Sequence, residues 1–188
     1  MISTRCAIAA PTATLLAYWL RELEGGEESQ LEEHLFACED CSARLRDLAR
    51  LGEGIRHAAR AGTLHAVVSA PFVERLQGAG LRVRRYDLQP GGSVLCTATA
   101  NDDAVVAYLH ASLKDVERLD LLVHDSVTNA RWRLEDIPFD PAASEVVLAP
   151  SVVGLRRSPK TTQTMRLVAV AGNEERPIAE YTFNHTPS

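Results

Sequence analysis

The chain has 188 residues, 46% of them hydrophobic and 24% charged, with a net charge of -5. This is the balance of a chain that folds around a buried core, and it excludes a disordered tail. Lys114 and Lys160 are the only lysines among the 20 basic residues, so no basic stripe is offered to phosphates and direct nucleic-acid binding is not expected.

The first helix is capped by Thr12 or Thr14 and carries Leu15, Leu16, Trp19, Leu20 and Leu23 at intervals of three and four, with Gly25-Gly26 as its stop. Glu27 and Glu28 suit the positive end of a second helix holding Leu31, His34, Leu35 and Cys38. A third follows Cys41 through Leu45, Leu48, Leu51 and Ile55 to about Ala61, weakened by Gly52 and Gly54. Pro71 fits the first turn of a short fourth helix with Phe72, Val73 and Leu76, ended by Gly78 and Gly80.

From Leu81 onward the helical period gives way to alternation. LRVRRYDL, SVLCTATA, AVVAYLHASL, RLDLLVHDSV, RWRLEDI, SEVVLAP, MRLVAVA and IAEYTFN read as strands separated by turn-forming segments such as PGG, NDD and AGNEERP. The expected architecture is α+β with two domains. Residues 1–80 form a bundle of three to four helices, and residues 81–188 an antiparallel β-sandwich or jelly roll.

Within LEEHLFACEDCSARL, His34, Cys38 and Cys41 have H-x3-C-x2-C spacing. Residues four apart share a helix face, and a C-x2-C turn at the helix end returns a second thiolate to the same point. Structural zinc takes four ligands. Cys6 is the remaining cysteine of the first half, so a Cys3His site of Cys6, His34, Cys38 and Cys41 follows. Glu39 and Asp40 are poorer partners for a thiolate-bound ion. Burial of these residues as ordinary small core side chains is the competing reading, and the combined spacing favours zinc over it.

The segment LLAYWLRELEGGEESQLEEHLFACEDCSARL, preceded by Cys6, resembles the zinc-binding anti-sigma factor family. The resemblance covers about residues 1–80 and places Cys6, His34, Cys38 and Cys41 on that family's ligand positions. It implies a structural Zn2+ and no enzymatic reaction. It also implies a partner, a sigma factor of the extracytoplasmic-function type, kept from RNA polymerase. Many members continue into a membrane helix; no run here reaches the roughly 18 apolar residues needed, nor does CAIAA reach the roughly 7–15 of a signal-peptide core. The expectation is a cytoplasmic protein without membrane contact.

The partner surface is expected on Leu16, Trp19, Leu20 and Leu23 of the first helix and Phe72, Val73 and Leu76 of the fourth, because so few helices cannot bury every apolar stripe. The carboxylates between Glu22 and Asp40 would attract a basic partner. Two other readings concern signalling. One is a thiol redox switch among Cys6, Cys38 and Cys41, slowed by Glu39 and Asp40. The other is a metal or ligand sensor in the β half. Some soluble members of the family carry a metal-binding cupin there, but residues 81–188 contain no H-x-H. His110 and His124, on adjacent predicted strands and with Glu117 or Asp125, could form a pocket, although isolated histidines on strands are more often structural.

Overall fold

The computed structural model describes residues 9–187 and divides into two compact units, Met1–Ala58 and Ala59–Ser188. It is α+β, with helices leading and two mostly antiparallel sheets following.

In the first unit, α1 spans Thr12–Leu20 and its opening turn closes with Leu15 N–H donating to Pro11 O at 3.1 Å. Arg21, at φ 61°, ends it in the left-handed conformation, and Glu22 N–H reaches back to Ala17 O at 2.8 Å. Gly25-Gly26, expected to stop α1, instead opens α2, Gly25–Ala37. The left-handed stop falls on arginine, so glycine spacing alone misplaces the boundary. Helix α3 runs Glu39–Ala61.

Gly52 is buried in α3 for a steric reason. A Cβ there would lie 2.1 Å from Trp19 Cη2, so the missing side chain provides the seat for the indole. The Arg56 guanidinium covers the same ring at 4.9 Å from its centroid. Arg44 donates to Ala10 O at 2.8 Å and Thr12 Oγ1 at 2.7 Å, and Tyr18 Oη donates to Glu32 at 3.1 Å. The described residues of this unit bury only Leu15, Leu31 and Cys41 as apolar side chains.

The second unit is built from β1 (His65–Val68), α4 (Ala70–Gly78), β2 (Val83–Leu88), β3 (Ser93–Cys96), β4 (Ala104–His110), β5 (Arg118–Asp125), β6 (Arg131–Leu134), β7 (Glu145–Pro150), α5 (Val152–Arg157), β8 (Thr161–Ala171) and β9 (Glu174–His185). One sheet has the order β1-β7-β4-β2, the other β3-β9-β8-β5-β6. The pairings β2 with β4 and β3 with β9 are parallel and the rest antiparallel. All eight predicted strand runs are present.

The unit boundary differs from the expected residue 80, because β1 pairs with β7 and α4 packs on the same sheet. Strand β1, HAVV, is too short to show a period and lies in a stretch that otherwise reads as helical.

Side chains from both sheets form one core, with Ala107, Leu109 and Leu148 facing Leu119, Leu121, Leu167 and Tyr181. On the opposite face of β4, Val106 and Tyr108 meet Val73 of α4 and Val147. Burial on both faces explains why AVVAYL reads as a continuous apolar run. Tyr181 Oη donates to His110 O at 2.6 Å, joining the two sheets.

Two buried carboxylates are held by dense hydrogen bonding. Asp120 accepts from Arg118, Arg133 and the backbone N–H of Asp136. Asp125 accepts from the N–H groups of Val127 and Thr128 and from Thr128, Thr161 and Gln163 side chains. Burial pushes both pKa values up, but these donors outweigh it and hold both below the ordinary 3.8.

Candidate metal centre

His34 lies in the last turn of α2, and Cys38 is its C-cap residue in an extended conformation (φ -121°, ψ 103°). That single extended residue breaks the helix, and α3 begins immediately after it, so Cys41 occupies the new first turn. The corner is fixed by Cys38 N–H donating to His34 O at 2.9 Å and Ser42 Oγ donating to Leu35 O at 2.7 Å. A helix break between the two cysteines thus turns an i, i+4, i+7 series into a convergent one.

One ligand atom from each of His34, Cys38 and Cys41 lies within 4.8 Å of the other two. Cys41 is buried, and Cys38 and His34 are half-buried. An imidazole and two sulfurs converging at a helix break suit zinc in chemistry and number, leaving one tetrahedral position for a fourth ligand. Cys6, expected in that position, lies outside the described residues. Glu39 and Asp40 are exposed and are not part of the converging group. This is the only such group of His, Cys and acidic residues found among the described residues.

The expected partner residues fall into two sets. Leu16 and Leu20 are 41% and 47% exposed, while Trp19 and Leu23 are half-buried, Trp19 against Gly52. Phe72 is exposed and Leu76 half-buried, but Val73 is 2% exposed in the sheet core and cannot face a partner. All three belong to α4 in the second unit, because Ser69 caps that helix next to β1. Phe36 was missed by sequence reading. It is 92% exposed between His34 and Cys38, and an aromatic in an otherwise acidic helix was the available signal.

His110 and His124 do not meet. They stand on β4 and β5, strands of different sheets despite being consecutive in sequence. His110 contacts Asp87 at 3.3 Å and Glu145 at 3.5 Å, and His124 contacts Asn129 at 3.1 Å. Each has local polar partners, and neither belongs to a candidate metal group.

No helix of the described residues is long and apolar enough to cross a membrane. No curated protein matches the chain. Among solved structures, the "N-terminal domain of phage TP901-1 ORF48" is similar over 57% of this chain and 100% of that one, at 9% identity and a TM-score of 0.36. That likeness is too slight to carry an argument. Residues 12–42, which hold α1, α2 and all three converging ligands, match the family described as "Putative zinc-finger". The N-terminal region of this chain is therefore a zinc-finger domain of that family, the zinc-binding domain of anti-sigma factors.

Proposed function

We propose that the chain is a zinc-dependent anti-sigma factor that sequesters a sigma factor of the extracytoplasmic-function type from RNA polymerase in the cytoplasm, without catalysing a reaction. The observation that carries this reading is the convergence of His34, Cys38 and Cys41 inside the residues that match the zinc-finger family.

His34 and Cys38 at the end of α2 and Cys41 on α3 would hold the ion, with Cys6 as fourth ligand. Structural zinc contributes on the order of 10 kcal/mol of apparent binding energy, large against what three buried apolar side chains supply. The partner surface proposed for this unit is Leu16, Leu20 and Phe36, supported by their exposure. The carboxylates of α2 add electrostatic attraction for a basic partner. Such a surface acts by occlusion.

The test is co-purification of the tagged full chain from its native cells, with elemental analysis of the same sample. One zinc per chain and a bound sigma factor are expected, both lost in Cys38→Ser and Cys41→Ser. Retention of a full equivalent of zinc by both variants contradicts the metal site. A zinc-loaded chain that captures no sigma factor contradicts the partner.

A further inference from the structure

The second unit contains a cavity of about 330 Å³ between its sheets. Val105, Ala107 and Leu148 line one wall, and Leu121, Val123 and Phe183 the other. Apart from Phe183 of β9, these are small and medium side chains of strands β4, β7 and β5, and between them they leave the space unfilled. The volume is at the lower end of the range for small-molecule sites. No Asp, Glu, Lys or Arg side chain lines it.

The polar groups on its wall divide sharply. Thr161 and Gln163 donate to Asp125, and Tyr86 Oη donates to Thr97 O while accepting from Thr97 N–H, both at 2.9 Å. These groups are occupied. Two others are not: Thr97 Oγ1 and His185 Nε2 are buried with no hydrogen-bond partner, and His185 is only 4% exposed. Buried polar atoms are nearly always paired, so two orphans on the wall of one apolar cavity indicate a ligand that completes them.

The two are neighbours by construction. Strands β3 and β9 pair in parallel with Cys96 opposite His185, and Thr97 is the next residue. Cys96 Sγ lies 3.9 Å from His185 Nδ1. Burial pushes the Cys96 thiol up, so it keeps its proton and can donate to Nδ1. In the tautomer that accepts this S–H at Nδ1, the orphan Nε2 carries the N–H and is a donor in search of an acceptor.

We propose that this cavity binds a small, neutral, largely apolar molecule carrying one carbonyl oxygen, which accepts a hydrogen bond from His185 Nε2 beside Thr97 Oγ1. The absence of charged side chains on the wall selects against an ionic ligand. Tyr86 of one sheet and Trp132 and Phe183 of the other, all in the lining, favour a planar body. This inference is independent of the sigma-factor reading and concerns the second unit alone.

The test uses the full chain labelled with 15N-histidine and two probes of one shape, 2-acetylnaphthalene and 2-ethylnaphthalene. Saturable binding of the acetyl probe should move the His185 Nε2 resonance, with affinity roughly tenfold above that of the ethyl probe. His185→Phe should abolish that preference, and Ala107→Leu, which fills the cavity, should weaken both probes. Absence of saturable binding, equal affinity for the two probes, or a preference that survives His185→Phe overturns the proposal. The probe comparison on the unaltered chain decides even where a variant fails to fold.

Discussion

Among the described residues of Met1–Ala58, only Leu15, Leu31 and Cys41 are buried apolar side chains, while Leu16, Leu20, Phe36, Leu51 and Ile55 remain exposed. In Ala59–Ser188 both core clusters lie in the sheets and the helix α4 that packs on them. The contrast is one of sufficiency. Strands that bury alternating or both faces supply their own driving force, whereas a few helices with little buried apolar surface depend on a cross-link or a partner. The sheet unit also exposes large apolar side chains, Phe72, Leu81, Leu95, Val127 and Trp132, but it is the larger unit and has a core to set against them.

Acid separates the two units most widely. Protons compete with metal for a histidine and thiolates, so the helical unit should lose its fold first as pH falls. Asp120 and Asp125 have folded pKa values below 3.8, so their contribution to the second unit is fully present above that value and is lost only as pH falls below it. A titration followed by circular dichroism should lose the helical signal of the first unit at a higher pH than the aromatic signal of the sheet unit. One coincident transition would break the distinction.

A smaller effect is expected from Asp120→Ala, which strands Arg133 and the Asp136 N–H around a site where the carboxylate is fully buried. It should cost the sheet unit about 3 kcal/mol and leave zinc content unchanged. Denaturant unfolding checks the first and elemental analysis the second. Gly52→Ala addresses the other unit on a finer scale. Overpacking against Trp19 costs about 2 kcal/mol, offset by about 1 kcal/mol of helix propensity. The net loss of about 1 kcal/mol should be confined to the helical transition, and a stabilised variant would show that the indole is free to move aside.

What the sequence makes legible follows from the range of the interactions. The zinc trio is local, three residues within eight positions, and spacing alone brings it together. The fourth helix is equally local, since Ser69 caps it by accepting from Phe72 N–H and Pro71 fits its first turn. The end of α1 was not legible, because Arg21 takes a left-handed stop that glycine would ordinarily mark.

Longer-range features escape for a different reason. Strand runs identify themselves by alternation but not by neighbour, so neither the parallel pairings nor the separation of His110 from His124 into different sheets could be read. Helix α5, six residues between β7 and β8, is too short to display a period. The inter-sheet cavity is less accessible still. Its wall joins Thr97 to His185 through a strand pairing that spans most of the second unit.

The claim that the helical unit is held by metal and the sheet unit is not is tested most directly by hydrogen exchange on the full chain, with and without a zinc chelator. The account predicts that chelation strips protection from the amides of α1, α2 and α3 while those of β4, β5 and β8 are unchanged. Protection of α1 to α3 that persists after the metal is gone would contradict it.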